Sequence, residues 1–279
     1  MHKGPQPEDT PPTLYRYREF ESESHLNTIE KGTFWFAHAD SFNDPFDVNW
    51  GFDYSGTTEE KVQWARDHFL KREMSHLSEK ERDRRARERI EEIERDQDFE
   101  DWIRERHVQM NKEKFGICSL SSKRDDILMW SHYSNDHSGF CVGIDTEMLE
   151  EVQRRRAEKG VTLELCEVDY QETIPEINFY ESTRGDWRQD VLRFVTTKSD
   201  HWGYEEEYRL LLYDRPSTAY PLGIEVISEV ILGCEVADEH REEMLSIVDD
   251  RPGVGISVYQ AEKHDQRYEL TLKTVREGQ

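Results

Sequence analysis

The stretch Trp202-Gly-Tyr-Glu-Glu-Glu-Tyr-Arg-Leu-Leu-Leu-Tyr213 decides how this chain is read. As a strand, it puts Glu205, Glu207 and Arg209 on one side and Tyr204, Tyr208 and Leu210 on the other. As a helix, Glu205 and Arg209 would form an ordinary ion pair four residues apart. The apolar run 210–213, followed by Asp214-Arg-Pro216, favours a strand that ends in a turn. Two neighbouring carboxylates repel, and one keeps its proton unless a cation such as Arg209 offsets the repulsion. Such pairs are candidates for chemistry. Glu206 falls on the opposite face with Tyr204 and Tyr208, so Glu205, Glu207 and Arg209 are the expected catalytic group.

Working outward, short apolar or alternating runs predict strands at 14–18, 33–37, 115–120, 138–144, 161–170, 224–233 and 255–259. Helical spacing predicts a short helix ending at Gly32, and helices over 125–133, 146–159, 186–197 and 238–249. Between about 57 and 114 the chain changes character. It becomes dense in Glu, Arg and Asp, with sparse apolar residues at helical spacing (Val62, Trp64, Phe69, Leu70, Met74, Leu77). This reads as two or three surface helices laced with ion pairs. The basic run Arg82-Asp-Arg-Arg-Ala-Arg87 is flanked by acids and reads as a solvated helix face. Residues 1–13 are polar and Pro-rich, expected as a disordered leader. The expected fold is α+β: one domain over 14–279, with a mixed or antiparallel sheet core and a charged helical insertion at about 57–114.

The net charge is −24, from 61 acidic and 37 basic residues, and Arg outnumbers Lys by 25 to 12. An acidic surface depleted in Lys points first to a halophilic-type protein that stays hydrated at high salt, the competing reading being a basic partner. The same charge opposes non-specific nucleic-acid binding, although salt screens that opposition. No apolar run approaches the ~20 residues that span a bilayer, and the first residues lack the apolar stretch of a secretory signal. A cytoplasmic protein with no membrane partner is expected. The cysteines, Cys118, Cys141, Cys166 and Cys234, show neither a CxxC pair nor zinc spacing, and are expected as reduced, buried small hydrophobes.

The segment Met129-Trp-Ser-His-Tyr-Ser-Asn-Asp-His-Ser-Gly139 crosses from a helix through a loop to a strand, a common setting for binding groups. Trp130, His132, Tyr133 and His137 are candidates there, the alternative being a helix end with two hydrogen-bonded histidines. No third ligand accompanies His132 and His137, so no metal site is expected. Glycine-rich phosphate loops and the nucleophile elbow are absent, which leaves a Ser or Cys hydrolase without support.

Several blocks together resemble one family. They are Leu14-Tyr-Arg-Tyr-Arg18, Phe42-Asn-Asp-Pro-Phe-Asp47, Cys118-Ser-Leu-Ser121, Met129-Trp-Ser-His-Tyr133, His137-Ser-Gly-Phe-Cys-Val-Gly-Ile-Asp145, and Lys198 leading into the 202–209 motif. The order looks like the DUF2971 family of prokaryotic proteins over roughly residues 14–235, a family name that carries no activity. The first strand, the short helix ending in Gly and the aromatic second strand also resemble the opening of DNA- and RNA-modifying ADP-ribosyltransferases. That likeness implies a glutamate, Glu205 or Glu207, that stabilises an oxocarbenium-like state at the ribose of NAD. It further implies Arg16 or Arg18 on the cofactor and Tyr133 or Trp130 stacking on it. Arg stands where those enzymes carry a first-strand histidine.

The expected site is a polar cleft holding Glu205, Glu207 and Arg209. Arg16, Arg18, Asn43, Asp44, Trp130, His132, Tyr133, His137, Lys198 and Trp202 are its expected binding residues. The leading expectation is a defence or toxin-type effector that transfers ADP-ribose from NAD to a nucleic acid or protein. The alternatives are a metal-dependent nuclease or phosphotransfer enzyme, and a non-catalytic sensing or adaptor module.

Overall fold

The computed structural model describes residues 9–68, 77–96, 98–182, 187–251, 253 and 255–278. The apolar positions expected at Phe69, Leu70 and Met74, and residues 1–8 of the expected leader, lie outside the described residues. In chain order the strands are β1 (Thr13–Arg18), β2 (Thr33–Phe36), β3 (Gly51–Asp53), β4 (Phe115–Ser121), β5 (Phe140–Asp145), β6 (Leu163–Glu167), β7 (Asp169–Gln171), β8 (Glu176–Asn178), β9 (Thr197–Ser199), β10 (Glu207–Tyr213), β11 (Thr218–Pro221), β12 (Ile227–Leu232), β13 (Ser257–Lys263) and β14 (Leu270–Arg276). The class is α+β. The chain divides into two compact units, one of residues 1–43, 113–170 and 200–279, the other of 44–112 and 171–199.

The first unit is built on an eight-stranded sheet in the order β14-β13-β12-β5-β1-β4-β10-β6. Its neighbours pair antiparallel except for β12 and β13, which are parallel and joined through the helix Asp238–Asp249. Strand alternation sorts its two faces. One face buries Leu14, Cys118, Leu120, Phe140, Val142, Ile144, Leu210, Leu212, Val230 and Leu232. Helices Glu23–Lys31, Thr146–Ala157 and Asp238–Asp249 pack on it through Ile29, Leu149, Val152, Met244 and Val248. Each such fully buried side chain contributes about 1.5–3 kcal/mol. On the other face Tyr15, Tyr17, Cys141, Ile231 and Ala261 pack with Met129 and Trp130 from the helix Ile127–Tyr133.

Local chemistry explains the helix ends. Asp126 caps helix 127–133, accepting from the N–H groups of Leu128 and Met129 at 2.9 and 3.1 Å. Gly32 ends helix 23–31 in the left-handed region, φ 60°, and donates to the carbonyls of Asn27 and Thr28. A Cβ at Gly32 would lie 2.2 Å from the backbone of Gly223, so both conformation and space require glycine.

The second unit contains helices Thr58–His68, Glu79–Arg95 and Phe99–Lys112, with the parallel ladder β3–β8. Val62, Trp64, Ala65, Ala86, Ile90, Ile93, Phe99, Phe179 and Tyr180 form its core. Helix 79–95 carries the expected surface ladder, including Arg85–Glu81 at 3.2 Å and Arg87–Asp83 at 3.1 Å. The charged helices thus share a compact unit with residues 44–56 and 171–199.

The structure corrects several element boundaries. Residues 200–205 form a 3-10 helix, not the start of a strand, and β10 begins only at Glu207. The reason is Glu206, whose φ of 40° breaks extended geometry between the two. Residues 161–170 hold two strands separated at Val168, because its N–H turns to the Glu207 carbonyl. Residues 224–226 form a 3-10 turn ahead of β12. The expected leader is held from Pro11 onward: Thr146 Oγ1 donates to the Pro11 carbonyl and Thr146 N–H to that of Pro12. Strand β14 was not expected, although Leu270 and Leu272 alternate with Thr271 and Lys273 along it. Cys118 and Cys141 are buried, Cys166 and Cys234 half-buried, and none is in a disulfide.

Candidate functional site

The site begins with a register. Along β10, Glu207 lies opposite Ser121 of β4, and Arg209 lies between Ser119 of β4 and Cys166 of β6. Leu211 follows between Ile117 and Glu164. Residues paired this way share a face, so a row of polar side chains crosses three strands on the face opposite the main core. Arg209 is 0% exposed and Glu207 3%. Their side chains form a two-pronged pair, Nε to Oε1 at 2.9 Å and Nη2 to Oε2 at 3.0 Å. This fork geometry matches guanidinium to carboxylate and holds both planes fixed. The Arg209 guanidinium also lies over the Phe42 ring, 5.5 Å from its centre.

Glu205 reaches the same neighbourhood from the 3-10 helix. It is 3% exposed, and its Oε1 accepts from the Tyr133 hydroxyl at 2.6 Å. Burial first, then the charge of Glu205, raises the Tyr133 pKa, so the phenol stays protonated and donates. Asn43 Nδ2 donates to the same hydroxyl oxygen at 3.5 Å. The line Glu205–Tyr133–Asn43 therefore runs from a buried carboxylate to an exposed amide. Ser121 Oγ donates to the Glu205 carbonyl at 2.5 Å and accepts from Lys123 N–H at 2.9 Å. The Tyr170 hydroxyl accepts from Glu207 N–H at 2.8 Å.

Between the two buried carboxylates, Glu206 is exposed and strained. A non-glycine residue in the left-handed region costs about 1–3 kcal/mol and persists only where neighbours hold it. Here Ser122 N–H donates to its carbonyl at 3.1 Å and Lys123 Nζ meets its carboxylate at 2.8 Å. Ser122 Oγ donates to the same carboxylate. The Lys123 and Ser122 bonds lower the Glu206 pKa. This latch turns the chain so that Glu205 and Glu207 both point inward.

An aromatic row borders the cluster. The His132 ring stands 6.2 Å from Tyr133 and 6.3 Å from Tyr204, and Tyr204 stands 6.1 Å from Trp202. His132 is exposed, the other three half-buried.

The remaining expected residues make other contacts. Arg16 and Arg18 alternate with Tyr15 and Tyr17 and so lie on the main-core face with Leu14. Arg16 donates to the Ser119 and Trp35 carbonyls, each at 3.1 Å, and to Cys118 Sγ. The Nε atoms of Arg16 and Arg18 are buried without a hydrogen-bond partner. Burial and the Arg16 charge lower the Arg18 pKa. Trp130 is fully buried and donates Nε1–H to the Arg124 carbonyl at 3.0 Å, so it packs rather than stacks on a ligand. His137 has φ 68°, and its carbonyl accepts from Glu235 N–H at 3.0 Å, which ties it to the loop after β12. Asp44 and Lys198 belong to the second unit. There Asp44 accepts from Phe46 N–H at 2.8 Å, and Lys198 Nζ stands 4.0 Å from Asp47. Sequence reading missed Phe42, Ser121 and Tyr170. The first two sit in quoted motifs, but Tyr170 gave no signal, because its role rests on the break after β6.

Among the described residues no group of three or more His, Cys, Asp or Glu is placed to hold a metal ion, and no helix is long and apolar enough to cross a membrane. What the cluster offers is a buried carboxylate with a phenol on one oxygen, beside a neutralised ion pair.

Comparison with known proteins finds a similarity to a family of unknown function over the segment that carries this group. Residues 129–210 match the family model described as "Protein of unknown function (DUF2971)". The matched segment is narrower than the 14–235 expected from the motifs, and it runs from Met129 through Tyr133 to Glu205, Glu207 and Arg209. No curated protein and no solved structure matches the chain.

Proposed function

We propose that the Glu205 cluster transfers ADP-ribose from NAD to a nucleic acid or protein, as a cytoplasmic defence-type effector. The observation that carries this reading is buried Glu205, held by the Tyr133 hydroxyl at 2.6 Å beside the Glu207–Arg209 pair. In the reaction the bond between the ribose C1′ and the nicotinamide nitrogen breaks, and nicotinamide leaves with the electron pair. A nucleophilic oxygen or nitrogen of the acceptor bonds to C1′ and loses its proton. C1′ passes through an oxocarbenium-like state that a nearby carboxylate stabilises. Glu205 has that role. Tyr133 orients it, and Arg209 holds the neighbouring Glu207 carboxylate in a two-pronged ion pair. Trp202, Tyr204 and His132 provide ring faces on which a base can stack.

In this reading Arg16 and Arg18 brace the sheet and do not touch NAD. Glu207 is held by Arg209 and Glu205 by Tyr133, which favours organic group transfer over a pair of bare carboxylates gathered on a metal. The test is incubation with labelled NAD and cell extract at low and high salt, the second because the charge of −24 suits a salt-rich medium. Label passes to macromolecules with the native chain, survives EDTA, and is lost with Glu205→Gln. Absence of transfer in both media overturns the reading, and transfer abolished by EDTA favours the metal-dependent alternative.

A further inference from the structure

Strand β1 pairs with β5 along its whole length, from Thr13 opposite Asp145 to Arg18 opposite Phe140, but it meets β4 only at Tyr15 and Ser121. Past Tyr15 the two strands part, which leaves a break in the sheet. Arg16 and Arg18 stand along this break, two residues apart and on the same face as Leu14. Arg16 spans it. Its terminal nitrogens reach the Ser119 carbonyl of β4 and the Trp35 carbonyl of β2, each at 3.1 Å. His25, from the helix 23–31, lies close enough to both arginines to feel their charge.

The two guanidiniums have no counter-charge in contact with them. Arg16 is 6% exposed, and its Nε is buried without a hydrogen-bond partner. The Nε of Arg18 is buried without a partner as well, and among the described residues its guanidinium makes neither a hydrogen bond nor an ion pair. The Cys118 thiol that Arg16 contacts supplies no negative charge, because burial pushes its pKa up against the pull of both arginines. His25 is held neutral, by burial first and then by the Arg18 charge. Glu19 acts on Arg18 only from beyond ion-pair distance.

This arrangement costs stability, since a buried ion without a partner carries a penalty of several kcal/mol. In a chain with 61 acidic and 37 basic residues, two neighbouring arginines without a carboxylate stand out. Arg16 alone satisfies the carbonyls that it bridges, so Arg18 adds repulsion and no bond. What the pair lacks is an acceptor that both can reach. Two planar donor forks with two positive charges match the several oxygens and double charge of a phosphate group, whereas a carboxylate would neutralise one of them.

We infer that the break between β1 and β4 binds a phosphate group, as the free ion or on a small molecule, held between the Arg16 and Arg18 guanidiniums. The site lies across the sheet from Glu205 and needs no residue of that cluster, so it stands apart from the proposed transfer reaction.

The experiment is an NMR titration of the full chain, following the Arg16 and Arg18 Nε–H signals and the His25 ring. Inorganic phosphate and adenosine monophosphate are the probes, at constant ionic strength. Saturable shifts of both Nε–H signals are expected. Binding also cancels the positive charge that depresses His25, so its pKa rises from about 4 toward the ordinary 6.5. Tighter binding of adenosine monophosphate marks a phosphate monoester, and equal or tighter binding of phosphate marks the free ion. Arg18→Gln weakens binding about ten- to a hundredfold, the loss of a charge-assisted bond. Without ligand it melts no lower than the native chain, because an unpaired charge has gone. Arg18→Lys retains part of the affinity, and Glu205→Gln binds as the native chain does. The inference fails if neither probe shifts these signals saturably, if His25 does not respond, or if Arg18→Gln binds equally well. If that variant does not fold, the native titration and the His25 pKa decide.

Discussion

Arg209 and Arg16 are buried on opposite faces of one sheet, and their surroundings differ in kind. Arg209 has a carboxylate two residues away on its own strand, matched prong for prong at 2.9 and 3.0 Å. Arg16 has neutral acceptors, two carbonyls and a thiol, and its neighbour Arg18 adds a second positive charge. A paired buried charge is stable only while both partners remain, whereas a charge held by carbonyl dipoles leaves no opposite charge stranded when removed. The first arrangement is a rigid electrostatic frame beside Glu205, and the second braces the sheet where the edge of β2 meets it.

The contrast can be broken most directly at Arg209. Arg209→Met strands Glu207 in a buried setting and should lower stability by about 3–5 kcal/mol, measured by urea denaturation. Pairing it with Glu207→Leu should restore most of that loss, and failure to recover would mean the pair is not the main term. Next comes Glu205→Gln, which keeps the shape and the Tyr133 contact. It should reduce ADP-ribosyl transfer by about 10²–10⁴-fold while leaving the denaturation midpoint nearly unchanged. Arg16→Met removes donors from two carbonyls and should cost about 1–3 kcal/mol. A cost equal to that of Arg209→Met would erase the distinction between the two faces.

The smallest effect is a pH dependence on the Arg16 side. His25, near Arg18, is held down to about 4 from 6.5, by burial first and then by the Arg18 charge. The unfolded chain takes up this proton near pH 6.5 and the folded chain only near 4. The unfolded state therefore binds more protons in that interval, and stability rises with pH there. His25 adds no penalty above pH 6.5, and stability declines as the pH falls toward 4. His25→Gln should flatten this part of a stability–pH profile measured by thermal melting, and an unchanged slope would remove His25 from the account.

Much of the candidate cluster was legible in the sequence. Parity along 205–209 separated Glu205 and Glu207 from Glu206, and the burial pattern agrees: buried, exposed, buried. The agreement has a different cause from the one expected. The segment is not one strand, and Glu206 turns the chain through a left-handed residue latched by Ser122 and Lys123. Latches of this kind join residues more than eighty positions apart, and local alternation carries no trace of them. The expectation that Arg16 would meet Glu205 overlooked the same period-two rule: it placed Arg16 opposite Tyr15 without deciding which face Glu205 used.

By itself the sequence determined the α+β class, most of the strands and helices, and the helix end at Gly32. These follow from the period of apolar residues and from capping chemistry, both local. It also marked Glu205, Glu207, Arg209 and Tyr133, because charged residues inside apolar segments are conspicuous along the chain. Only the tertiary structure decided that Tyr133 holds Glu205, that Arg16 and Arg18 lie across the sheet, and that β12 and β13 run parallel. Those outcomes depend on strand order and register, which are set by how buried faces are matched across distant segments.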